Sequence, residues 1–147
     1  MKTTLQIFRA DTRSSWALPM AGEGLKAGFP SPAEGFMTDS IDLNRELIRH
    51  KETTFYARVN GDSMIHAGIG DGDLVVIDKS LDAHSGDYVV AYIDGEFTLK
   101  EFRTDPANQC AWLVPANDCY SPICVTADNE FLIWGVVTYV IRSMHKG

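Results

Sequence analysis

The sequence predicts a mainly β protein of antiparallel strands, and three observations carry the prediction. After Lys51, short apolar runs rich in Val, Ile, Tyr and Phe alternate with clusters of Gly, Asp, Asn and Ser, the punctuation of strands and turns. Asp94-Gly95 separates two strand-like runs, Tyr88 to Ile93 and Phe97 to Phe102, and Asp-Gly accepts the positive φ angles of a tight hairpin turn. Beyond residue 50 little of the chain has helical periodicity. At 147 residues, of which 45% are hydrophobic, the chain suits one domain around one core.

The elements follow in order. From Met1 to about Gly35, Pro19, Pro30 and Pro32 combine with Gly22, Gly24, Gly28 and Gly35, and weak periodicity marks an arm rather than a packed element. The expected division is an arm over residues 1–35 and a β-rich domain over 36–147. Ser40 or Asp42 caps a short helix running to His50, with Leu43 and Leu47 on one face. Strands are then expected over Phe55 to Val59, Leu74 to Ile77, Tyr88 to Ile93, Phe97 to Phe102, Trp112 to Val114 and Phe131 to Ile141, at least six in all. The last of these serves as a core strand or as a dimer surface.

Composition narrows the function. The net charge of -7, from 20 acidic against 13 basic residues, disfavours unassisted DNA binding, which draws most of its non-specific affinity from phosphate attraction. It favours protein partners instead. No secretory or transit segment is legible at the N-terminus, and the most apolar stretch is far shorter than the roughly 20 residues of a membrane-spanning helix, so a cytoplasmic protein is expected. Cys110, Cys119 and Cys124 form no CxxC pair and are read as reduced thiols. His50, His66, His84 and His145 lack zinc-ligand spacing. No metal or other cofactor is expected.

Gly61-Asp62-Ser63-Met64 places a serine directly after a Gly-Asp turn at a strand end, where a hydroxyl can be exposed beside consecutive backbone N–H groups. Taken alone, such a tripeptide more often hydrogen-bonds within its own loop. A serine nucleophile needs a base, either histidine or a lysine kept neutral by burial. His66 lies three residues away on the same turn, where reach is doubtful. Lys100 interrupts a strand-like run and alternation sets it on the face of Thr98 and Phe102, where burial disfavours the ammonium; taken alone, such a lysine is more often an edge-strand residue that discourages aggregation.

Together these segments resemble the LexA/UmuD family of self-cleaving Ser-Lys proteases, most closely its short UmuD branch. The likeness runs through Ala27-Gly28-Phe29-Pro30-Ser31-Pro32, Ile41-Asp42-Leu43-Asn44, Gly61-Asp62-Ser63-Met64 and Asp71-Gly72-Asp73-Leu74. It continues through Asp94 to Lys100, Tyr120-Ser121-Pro122-Ile123 and Gly135-Val136-Val137. Residues 1 to 26 follow the pattern less closely, and with no helix-turn-helix module legible ahead of Ala27-Gly28, direct operator binding is not expected.

The resemblance implies the family's C-terminal protease fold of twisted antiparallel sheets, with a flexible N-terminal arm and one short helix. It implies Ser63 as nucleophile, Lys100 as general base, the Asp62 and Ser63 amides as oxyanion donors and Ala27-Gly28 as the bond cut. A RecA filament on single-stranded DNA would act as coprotease in the SOS response to DNA damage. The product would be a homodimeric subunit of an error-prone Y-family translesion polymerase, joined to a UmuC-like partner. The alternative is a dimeric protein-interaction module whose dyad is slow or vestigial. A membrane-anchored protease acting on foreign peptides is disfavoured.

Overall fold

The computed structural model describes residues 4–10, 17–21 and 37–145. By contacts the chain divides into two units, one of Met1–Ala10 with Glu52–Gly147 and the other of Asp11–Lys51.

The larger unit is a single antiparallel sheet of eight strands in the order β1-β4-β5-β10-β6-β7-β8-β9. Its strands are β1 (Thr4–Arg9), β4 (Thr54–Asn60), β5 (Leu74–Asp78), β6 (Tyr88–Ile93), β7 (Glu96–Asp105), β8 (Cys110–Val114), β9 (Ile123–Val125) and β10 (Phe131–Ile141). The smaller unit pairs β2 (Ala17–Ala21) with β3 (Met37–Asp42) and continues into helix α1 (Leu43–Leu47). The mainly β class, the antiparallel pairing and the one short helix agree with the reading of the sequence.

Alternation along β6 and β7 explains how one sheet supports two cores. Val90 and Leu99 face each other and join Ala57, Val59, Met64, Ile69, Val75 and Ile77 in one buried cluster. Their neighbours Val89, Ala91, Ile93 and Phe102 point the opposite way and pack with Leu113, Val125 and Val136, as the two-residue period of a strand requires. Both faces of the central strands are thereby buried. Lys100 pairs with Val89, so it belongs to the second face. Two bulges in β10, between Ile133 and Gly135 and between Val137 and Tyr139, add the local bending such insertions produce.

The β6–β7 turn is built as expected. Asp94 has φ 47° and Gly95 φ 90°, the pair of left-handed residues that a two-residue hairpin of matching twist demands. Asp94 also anchors the chain entering β10, through its N–H to the Glu130 carbonyl at 2.9 Å and its carboxylate, which accepts from Glu130 N–H at 3.3 Å.

Three differences from the sequence reading have physical causes. First, β1 and β2 form within the stretch expected as an unpacked arm. In β1, half-buried Leu5 and Ile7 alternate with exposed Gln6 and Phe8, a period-two signal too short to register beside the proline- and glycine-rich residues that follow. β2 pairs with β3 alone, and Pro19 suits a strand with only one neighbour in its sheet. Second, α1 ends at Leu47 rather than His50. Of the two candidate caps, Asp42 takes the position, its carboxylate accepting from Asn44 N–H at 3.0 Å. Third, β9 adds a three-residue strand whose pattern is too brief to read.

The end of β10 is tied to the loop before β5 by an ion pair. Arg142 donates to both carboxylate oxygens of Asp73, at 2.9 and 2.7 Å, and Gly70 N–H adds a third bond at 2.8 Å. Asp73 is buried, and the Arg142 hydrogen bonds hold its carboxyl below the ordinary carboxylate range. A carboxyl depressed in the folded state stabilises the fold above its unfolded value and loses that contribution as pH falls through the folded one. Thermal melts taken below about pH 4 should therefore show a steep loss of stability, and Arg142→Leu should flatten that acid limb relative to the native chain.

Cys110, Cys119 and Cys124 are free thiols. The Cys110 thiol is pushed up to about 11 by its hydrogen bond with Cys124 and by burial.

Candidate active site

The site begins where β4 stops. Gly61 takes φ 117°, a conformation glycine adopts without strain, and its N–H donates to the Asp71 carboxylate at 2.8 Å. The chain turns at once into Asp62-Ser63-Met64 and a single 3₁₀ turn, Ile65–Ala67. Ser63 is 1% exposed and Met64 is buried beside it, so Met64 fixes the turn to the first hydrophobic cluster.

Lys100 comes from the middle of β7 and is 7% exposed. Its Nζ lies 3.2 Å from Ser63 Oγ, 2.9 Å from Thr98 Oγ1 and 3.0 Å from the Leu99 carbonyl oxygen. Thirty-seven positions of sequence separate the two functional groups; the fold brings them into hydrogen-bonding distance. The contact with Thr98 follows from alternation, since residues two apart on a strand share a face. His66, by contrast, is exposed, and its backbone N–H is used by the Ala116 carbonyl at 2.8 Å.

A neutral amine has two N–H donors and one lone pair, whereas an ammonium has three donors and none. The Leu99 carbonyl can only accept. With Thr98 Oγ1 as the second acceptor, the lone pair of a neutral Lys100 is left for the Ser63 O–H. The arrangement is therefore chemically able to take the serine proton when the amine is neutral.

The loop between β8 and β9 holds the serine turn from the other side. Asn117 Nδ2 donates to the Asp62 carbonyl at 2.9 Å, and the Tyr120 hydroxyl donates to Asp62 Oδ1 at 2.8 Å. Ala116 N–H reaches Met64 Sδ at 3.4 Å. The hydrogen bond to Asp62 raises the Tyr120 phenol above its ordinary value. Asn117 was not singled out from the sequence and Tyr120 only as part of a motif. Their partner Asp62 lies more than fifty residues away, and nothing local marks the pairing.

Ser63, Thr98 and Lys100 line a cleft of about 220 Å³ with Ile93, Glu96, Tyr120, Ser121 and Ile123. Its lining is mixed, with apolar Ile93 and Ile123 beside the polar Ser63, Thr98 and Lys100. Ala27 and Gly28 lie outside the described residues, in the connection between β2 and β3. Among the described residues no group of three or more His, Cys, Asp or Glu side chains is placed to hold a metal ion, and no helix is long and apolar enough to cross a membrane.

Comparison with known proteins places this geometry in context. Residues 19–138 match the model of the family described as Peptidase S24-like. The chain is 40% identical over 124 residues to Protein MucA of Escherichia coli, covering 84% of this chain and 83% of that protein. It is 41% identical over 133 residues to Protein ImpA of Shigella flexneri, covering 90% and 88%. The LexA repressor of Carboxydothermus hydrogenoformans is 37% identical over 116 residues, which cover 79% of this chain and 56% of the repressor. A family match over most of the chain, with relatives at this identity on both sides of the LexA/UmuD resemblance, means that the chain belongs to the Peptidase S24-like family.

Proposed function

We propose that this protein is an autoprotease that cuts its own Ala27–Gly28 bond. The observation that carries the reading is the buried approach of Lys100 Nζ to Ser63 Oγ at 3.2 Å. Lys100 in its neutral form takes the Ser63 proton as Oγ attacks the Ala27 carbonyl carbon. The oxyanion is received by the backbone amides of Asp62 and Ser63. Lys100, now an ammonium, gives its proton to the departing Gly28 amine. Water, deprotonated by the same lysine, then hydrolyses the Ser63–Ala27 ester. Asn117 and Tyr120 support this chemistry by fixing Asp62, and so the turn that aims both the nucleophile and the amides.

Because the substrate is tethered, docking of the segment that holds Ala27–Gly28 governs the rate. A RecA filament on single-stranded DNA accelerates it by favouring the docked, neutral-lysine state. The product, residues 28–147, is a cytoplasmic homodimeric accessory subunit of a UmuC-like Y-family polymerase in SOS mutagenesis. The exposed Tyr139, Val140 and Ile141 at the end of β10 supply apolar area for the dimer.

The test is intact-mass analysis of the purified chain across a pH series, beside Ser63→Ala. Cleavage should quicken from neutral pH toward roughly pH 10, because only the neutral amine serves as base and an ordinary lysine titrates near 10.4. Glu96 and Tyr120 line the same cleft, so the profile is read with Glu96→Gln and Tyr120→Phe alongside. Fragments meeting at Ala27/Gly28, absent from Ser63→Ala, carry the proposal. An intact chain at every pH and with activated RecA filaments would leave the dimeric interaction module as the function.

A further inference from the structure

The strand β1 lies on the N-terminal side of the bond proposed to be cut, yet it is built into the sheet that carries Lys100 and pairs with β4, the strand that leads into the turn bearing Ser63. It pairs with β4 over six consecutive residues, from Thr4 opposite Asn60 to Arg9 opposite Phe55. The ladder is extended by Ala10 N–H to the Thr54 carbonyl at 3.3 Å. Leu5 and Ile7 stand opposite Val59 and Ala57 and pack on the first buried cluster. Arg9 lies over the Phe55 ring, 5.9 Å from its centre. These are the components of strand addition: a backbone ladder, apolar side chains at alternate positions, and one polar contact at the end.

In the sheet order β1 is an end strand and β5 lies on the other side of β4. If β1 leaves, a row of backbone N–H and C=O groups on β4 loses its partners, beside a strip of apolar surface. Such an edge is a template for another strand. While the chain is intact, β1 is an intramolecular occupant with a high effective concentration. Once Ala27–Gly28 is cut, β1 belongs to a separate peptide, held by its pairing with β4 and by that of β2 with β3.

We propose that the outer edge of β4 is a strand-docking site, kept filled in the intact chain by its own residues Thr4–Arg9. Cleavage makes that occupant replaceable by an extended segment of a protein partner. The segment that fits has apolar residues at two alternate positions and a basic residue two positions further on, the pattern of Leu5, Ile7 and Arg9. This rests on the self-cleavage reading for its trigger, but not for the site itself.

The experiment uses the full chain carrying Ser63→Ala, with a site-specific protease recognition sequence placed across Ala27–Gly28, so that the break is made without the dyad. The probe is a fluorescent peptide of residues 1–10, added in excess, and uptake is read by anisotropy. The cut chain should take up the peptide and the uncut chain should not, and the same peptide with Ile7→Asp should bind at least about tenfold more weakly. No uptake by the cut chain, equal uptake by both forms, or indifference to Ile7→Asp would each overturn the proposal. None of these outcomes depends on whether Ser63 and Lys100 cut the chain, which the pH series decides separately.

Discussion

Lys100→Met should leave the chain uncut while leaving it folded. The variant keeps an unbranched side chain of similar length and removes the amine. It therefore deletes the group facing Ser63 without opening a large cavity on the second face of the sheet. Loss of a positioned general base costs roughly 10²–10⁴-fold in rate, enough to reduce self-cleavage to background over a day at alkaline pH. Stability should move little or rise, because a buried amine is exchanged for an apolar group. Lys100→Arg is the informative companion. A guanidinium stays protonated throughout the accessible range, so positive charge at the site is kept while basicity is lost. If Lys100→Arg cut at the native rate, proton transfer by Lys100 would be wrong.

The second large effect is on stability and reaches the site through packing. Met64 is buried in the first cluster, next to the nucleophile, and its sulfur accepts from Ala116 N–H. Met64→Ala should cost about 2–5 kcal/mol, the range for removing a large buried side chain. It should also slow cleavage under conditions where the variant is still folded, because the turn bearing Ser63 loses its anchor in the core. Met64→Leu conserves volume and should cost less than about 1.5 kcal/mol, and a denaturant titration of the two variants measures the difference. Cleavage at the native rate in folded Met64→Ala would mean that the hydrogen bonds from Asn117 and Tyr120 hold the turn unaided.

What the sequence disclosed and what it withheld divide along a physical line. Strands buried on one or both faces announced themselves through composition and turn residues: Tyr88 to Ile93 emerges with its expected bounds, and Asp94-Gly95 gives the expected hairpin. That Ser63 and Lys100 would lie together was legible, because a family motif and strand alternation each gave local information. The features that escaped are defined by partners distant in the chain. β1 is a strand because β4 accepts it; Leu5 and Ile7 alone are too few to declare a period. Asn117 and Tyr120 matter through Asp62, and only the fold joins them. The short helix shows the same limit at smaller scale, since Ser40 and Asp42 were equal candidates until the Asn44 N–H chose between them.

The exit from the sheet at Ala10 lies beside the re-entry at Thr54, joined by one backbone hydrogen bond. Residues 11–51 therefore leave and return through the same doorway, and their length is nearly irrelevant to the body they depart from. Doubling such a loop adds only about 0.6 kcal/mol to the cost of closing it. Insertions, deletions and rewritten composition are cheap there, whereas a one-residue slip in β1 or β4 would turn every core side chain outward.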